Sequence, residues 1–157
     1  MGALKILKRL EKEGILISKA AGKANFYKIN LENDYAKEYV KFILRREAEH
    51  TSPYIKRWLN ELRKLKSADI AIIFGSVLNK TSDANDIDVL FVTRQDKFES
   101  LKKEINELNK INEKNIHPIY QSVKDLEDNI TKRDKIILNA LKGIVVFGEE
   151  KLIRLIK

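Results

Sequence analysis

The sequence predicts an α/β (α+β) fold, a mixed sheet flanked by helices, preceded by a small basic helix-and-hairpin element. Three observations carry that expectation. From residue 69 onward, short apolar runs alternate with segments of helical periodicity, the pattern of a sheet layered with helices. The first run, Ile70-Ala71-Ile72-Ile73-Phe74, is apolar at every position and reads as a strand leading into a Gly-Ser turn. Residues 1–31 hold seven basic side chains and two acids, a net +5 of the chain's +8, so charge divides the chain as well.

Taken in order, residues 3–13 read as a helix, with Leu4, Leu7 and Leu10 joined by Ala3 and Ile6 on an apolar stripe and Gly14 as its stop. Ile15-Leu16-Ile17 reads as a strand, Ala20-Ala21-Gly22-Lys23 as a turn and Asn25 to Ile29 as the return strand. Residues 33–49 form a long helix capped by Asn33 or Asp34, whose apolar face (Tyr35, Tyr39, Phe42, Ile43) also suits a homodimer seam. Ser52 caps and Pro53 opens a helix over 53–66, with Ile55, Trp58, Leu59, Leu62 and Leu65 inward. After a strand at 70–74 and another at 86–92, Gln95-Asp96 leads into a helix to about Asn109, with Phe98, Leu101, Ile105 and Leu108 as its stripe. Asn115 to Gln121 is a third strand. Ser122 caps a short helix, and Thr131 caps another with Ile136, Ile137, Ala140 and Leu141 inward. Gly143 ends that helix, Ile144 to Gly148 is a fourth strand, and Glu149 to Ile156 a closing helix. The expected organisation is an N-terminal element at 1–31, connecting helices at 32–67 and the α/β domain at 68–157.

At 157 residues with 43% hydrophobic and 34% charged content, the chain suits one soluble domain with a small appendage. No apolar run approaches the length of a membrane span, and the first residues carry no secretory pattern. The expectation is a cytoplasmic protein without a membrane partner. The absence of cysteine excludes disulfides and thiolate metal sites, and only His50 and His117 are available as imidazoles.

The chemistry concentrates in residues 70–92. Gly75 and Ser76 follow the first strand, and Asp86 and Asp88 open the second. Side chains alternate along a strand, so the two acids share a face. Gly75 allows close backbone approach, and Ser76 offers a hydroxyl and an N–H to phosphate oxygens, more so if it begins a helical turn. Asp86 and Asp88 suit Mg²⁺ or Mn²⁺ bridging the phosphates of a nucleoside triphosphate, and Lys80 in the intervening loop can reach an anion.

Phe74-Gly75-Ser76, a nine-residue gap and Asp86-Ile87-Asp88-Val89 resemble the signature of the minimal nucleotidyltransferases, within the superfamily that includes DNA polymerase beta. The resemblance covers about residues 68–157. It implies the nucleotidyltransferase fold, binding of a magnesium nucleoside triphosphate (ATP the expected one) and transfer of a nucleotidyl group to an acceptor hydroxyl on a small molecule or a protein. Asp86 and Asp88 would be the catalytic metal ligands, and Gly75, Ser76 and Lys80 the nucleotide contacts. The family carries a third catalytic acid on the next strand, where this sequence reads Asn115-Ile116-His117-Pro118-Ile119-Tyr120-Gln121, with His117 near the acid's place. Glu113, Asp125, Glu127 and Asp128 flank that strand without a clear role.

The helix ending Leu10-Glu11-Lys12-Glu13-Gly14 and the strand Asn25 to Asn30 resemble the recognition helix and wing of winged helix-turn-helix transcriptional regulators. That implies double-stranded DNA as a partner, contacted by Lys5, Lys8, Arg9, Lys12, Lys19, Lys23 and Lys28. The helix that should precede the recognition helix has no counterpart before Ala3, which leaves a longer natural start, a remnant or completion by a partner chain. The alternative function is therefore a DNA-binding regulator whose nucleotidyltransferase domain is degenerate and only binds nucleotide.

Overall fold

The computed structural model describes residues 2–156. The chain divides into two compact units, one running to Ile43 and the other Leu44–Ile156. The division falls inside a helix.

The first unit begins with α1 (Ala3–Lys12), closed by bonds from the amides of Gly14 to Glu11 and of Ile15 to Leu10, each 2.9 Å. Strands β1 (Leu16–Ala21) and β2 (Ala24–Ile29) pair antiparallel from Leu16↔Ile29 to Ala21↔Ala24. The turn is therefore only Gly22-Lys23, and Ala20 and Ala21 belong to the strand. A two-residue turn continues the ladder further than the expected four-residue one. Asn30 and Asn33 both donate side-chain amide hydrogens to the carbonyl of Gly14, tying the end of α1 to the segment before α2 (Asp34–Glu49). Asn33 is the residue that caps α2, accepting from the amide of Tyr35 at 3.0 Å. Of the apolar face, Tyr35, Phe42 and Ile43 are exposed, and it is Ala36 and Ala48 that are buried. The small residues take the close-packed side of this helix.

The second unit holds α3 (Pro53–Leu62), β3 (Ile70–Phe74), the one-turn α4 (Val77–Lys80), β4 (Ile87–Val92), α5 (Phe98–Ile111), β5 (Ile116–Gln121), α6 (Val123–Thr131), α7 (Lys135–Ala140), β6 (Ile144–Phe147) and α8 (Glu149–Leu155). The sheet order is β5-β4-β3-β6. β3 runs antiparallel to both β4 and β6, and β4 parallel to β5. The fold is thus a mixed α+β architecture with a four-stranded sheet and a separate two-stranded one. Alternate strand residues divide between two cores. Ala71, Ile73, Val89 and Phe91 pack with Trp58, Leu59 and Leu62 of α3 and Leu101 and Ile105 of α5. Ile70, Ile72, Leu90 and Val92 pack with Leu126 of α6, Ile137 of α7 and Leu152 of α8. Helices cover both faces, which is why β3 has no polar position.

Several helix limits differ from expectation. α3 stops at Leu62, before Leu65. Thr131 ends α6, its hydroxyl donating back to the carbonyl of Glu127, and α7 is capped instead by Asp134, which accepts from the amides of Ile136 and Ile137. A carboxylate that takes two amides is the stronger cap. Ile136 consequently faces outward and is exposed.

Glu104 of α5 anchors the segment leading into β3. It accepts from the amides of Lys66 (2.9 Å) and Ser67 (3.2 Å) and from the hydroxyl of Ser67 (2.7 Å). Burial pushes its pKa up, but these bonds and the charge of Lys66 outweigh it and hold the carboxyl below its ordinary value. A carboxyl so lowered contributes stability that is present above its unfolded pKa and is lost as pH falls through the folded one. Glu104→Gln is therefore expected to lower the melting temperature at neutral pH and to flatten its fall below pH 4.5, the ordinary Glu value. Thermal melts across the acid range check this, and an unchanged acid limb would refute it.

Candidate functional site

The apolar run of β3 ends at Gly75, whose φ of +79° lies in the left-handed region. An L side chain is strained there, and a Cβ at this position would also run into the carboxylate of Asp88. The contact follows from register, because Phe74 pairs with Asp88 across β3 and β4. The glycine thus both makes the turn and leaves room for a carboxylate against it.

Asp86 and Asp88 are half-buried on either side of the buried Ile87. Asp88 shares parity with Leu90 and Val92, so it lies on the side of the sheet covered by α6, α7 and α8. Asp86, expected as the first residue of the strand, instead precedes β4 in a bend, the strand beginning at Ile87. On the next strand His117 is directly opposite Asp88, and its Nδ1 lies 3.0 Å from Asp88 Oδ1. A carboxylate oxygen accepts, so the imidazole donates. Asp88 is therefore held between the Gly75 turn and His117, three neighbouring strands each contributing one part. The sequence marks His117 as near the third acid's place but does not reveal this bond.

Asp125 belongs to the capping box of α6, bonded to both the hydroxyl and the amide of Ser122. Those bonds hold its pKa below the ordinary value. It lines a small cavity of about 150 Å³ with Thr93, Tyr120 and Gln121, at the far end of β4 and β5.

A cleft of about 280 Å³ opens beside the Gly75-Ser76 turn, lined by Phe74, Gly75, Ser76, Leu78, Asn79, Asn139, Lys142 and Gly143. Asn139 and Lys142 come from the end of α7 and escaped sequence reasoning, since nothing local connects them to a turn so far back in the chain. Gly143 allows this approach. A Cβ there would collide with the carbonyl oxygen of Ile73 and lie 2.9 Å from Phe74 Cβ. Lys80 is exposed at the end of α4 and is not among the residues lining the cleft. Ser76 is the N-cap of α4 without a side-chain cap bond, but α4 spans only four residues, too few for a substantial dipole.

Among the described residues, no group of three or more His, Asp or Glu side chains is arranged to hold a metal ion. Asp86 and Asp88 supply hard oxygens that suit a Mg²⁺ held mainly by phosphates and water. The nitrogen donor His117, already bonded to Asp88, does not fit a second such ion. The expected basic side chains Lys5, Lys8, Arg9, Lys12, Lys19, Lys23 and Lys28 are all exposed in the first unit. No family model matches this chain, and comparison with curated proteins and with solved structures yields no match either.

Proposed function

We propose that this chain has the nucleotidyltransferase fold, binds a magnesium nucleoside triphosphate at the corner between β3 and β4, and transfers its nucleotidyl group to an acceptor hydroxyl. The observation that supports the reading is the carboxylate of Asp88 lying against the Gly75 turn, with the half-buried Asp86 two residues before it, just ahead of β4. Ser76, Asn139 and Lys142 offer donors to the phosphate chain from the adjoining cleft. His117 fixes the orientation of the Asp88 carboxylate through its 3.0 Å bond. When bound, Mg²⁺ would be held by Asp86 and Asp88 together with the phosphates and would counter the charge that builds on the phosphoryl oxygens. In the reaction the acceptor oxygen bonds to the α-phosphorus and the bond to the bridging oxygen on the β side breaks. Pyrophosphate leaves, and the hydroxyl proton passes to solvent.

A second reading, a nucleotide-sensing module that does no chemistry, is favoured by His117 standing beside Asp88 in place of a third acid. An α-labelled triphosphate, incubated with Mg²⁺ and candidate hydroxyl acceptors, tests both. Transfer is expected, and Asp86→Ala should reduce it about a thousandfold, since losing charge stabilisation worth several kcal/mol costs a factor of ten for each ~1.4 kcal/mol. Binding without transfer to any acceptor would select the sensing reading. Absence of metal-dependent binding, or activity untouched in Asp86→Ala, would overturn the assignment. Lys142→Ala should weaken triphosphate binding about tenfold by removing a charged hydrogen bond, with no change in melting temperature because the side chain is exposed. Calorimetric titration measures the first and a thermal melt the second.

A further inference from the structure

The β1–β2 hairpin has two unlike faces. Leu16, Ser18, Tyr27 and Ile29 share one, which turns toward α1 through a bond from the Ser18 hydroxyl to Glu11. The other presents Ile17 directly opposite Lys28 and Lys19 directly opposite Phe26. Each cross-strand pair thus sets a cation beside an apolar side chain, and the two lysines occupy opposite strands. Phe26 is 64% exposed and Ile17 40% exposed. With Ser18 and Tyr27 these four residues line a concavity of about 490 Å³. No acid occurs between Gly14 and Leu31, so nothing on this face neutralises Lys19 and Lys28 locally.

An exposed phenyl ring between two lysines matches one ligand chemistry closely. Bases stack on aromatic rings while the adjoining phosphates pair with cations. In a duplex the base faces are occupied by neighbouring bases, and a protein of this kind would use its lysines alone. Only unpaired nucleotides offer a free face to a ring. We propose that the Ile17-Lys19-Phe26-Lys28 face of the hairpin binds single-stranded nucleic acid, a base stacking on Phe26 and flanking phosphates meeting Lys19 and Lys28. This is independent of the nucleotide site.

The test uses the full chain and fluorescence anisotropy with labelled polythymidylate, polyuridylate and a duplex of equal length, over a series of salt concentrations. Single strands are expected to bind more tightly than the duplex. Phe26→Ala should weaken single-strand binding about tenfold or more at every salt concentration, without changing the slope of log K against log salt, and Phe26→Trp should restore it. Lys19→Ala with Lys28→Ala should reduce that slope by about 1.4, at roughly 0.7 per lost phosphate contact. These side chains are exposed, so matching melting temperatures will show that the variants are folded. Single-strand affinity unaffected by Phe26→Ala overturns the proposal, as does a duplex bound more tightly than single strands. A dimer that Phe26→Ala dissociates in sedimentation, with nucleic-acid affinity unchanged, also overturns it and makes a second copy the occupant.

Discussion

Gly75→Ala is expected to destroy the proposed nucleotide corner and weaken the fold together, and adding Asp88→Ala is expected to restore part of the stability. Alanine at a φ of +79° carries about 1–3 kcal/mol of backbone strain. Its methyl group also occupies the place of the Asp88 carboxylate, so Asp88 must rotate away and lose its 3.0 Å bond from His117. Metal-dependent triphosphate binding should then fall below detection in Gly75→Ala and in Asp88→Ala alike. In the double variant the collision is gone and only the strain remains. The two stability losses should therefore be less than additive, with a coupling of about 1 kcal/mol or more, whereas independent sites add to within about 0.5 kcal/mol. Urea denaturation of the four proteins measures the coupling. Additive losses would show that the carboxylate does not lie against the turn.

Trp58→Ala should be the most damaging single change to the fold. Trp58 is only 2% exposed and packs with the β3 and β4 side chains Ile73, Val89 and Phe91 and with α5. Truncating a buried tryptophan costs about 3–5 kcal/mol, a large part of the 5–15 kcal/mol that holds a typical domain together. The size of the loss also decides what α3 is. A helix that merely connected two parts would lose less than about 1 kcal/mol, as surface changes do. Denaturant unfolding followed by circular dichroism is the measurement, because the variant removes the chain's single tryptophan.

What the sequence revealed and what it hid divide along physical lines. The β3–Gly75–Ser76–β4 corner is readable because a continuous apolar run, a glycine and two alternating acids are all local signals. The bond between Asp88 and His117 is not, since it depends on β5 pairing parallel with β4 in one particular register. Register is set by which faces are buried, and no local window contains that information. The same holds for Lys142, which α7 brings to the cleft. Tyr35 and Phe42 show the limit of periodicity, which marks a helix's apolar stripe without saying what covers it. Thr131 misled because two capping residues lay three positions apart, and the outcome turned on which oxygen met two free amides.

The position of β5 at the rim of the sheet bears on how the protein behaves when concentrated. The amide of Ile87 bonds the carbonyl of Asn115 and the amide of Thr93 that of Gln121. Odd-numbered residues of β5 therefore bond inward, and Ile116, Pro118 and Tyr120 turn their backbone groups outward. Each is blunted against strand addition. Ile116 donates to the side chain of Asn109 at 2.8 Å, Pro118 has no amide hydrogen, and the carbonyl of Tyr120 accepts from the Gln121 side chain at 2.9 Å. At the opposite rim, Arg63 donates to the carbonyl of Val146 on β6. An unprotected edge strand is a template for sheet-to-sheet aggregation. Here the proline that makes His117-Pro118 look like an interruption acts as a guard, keeping foreign strands off the edge beside the imidazole that holds Asp88.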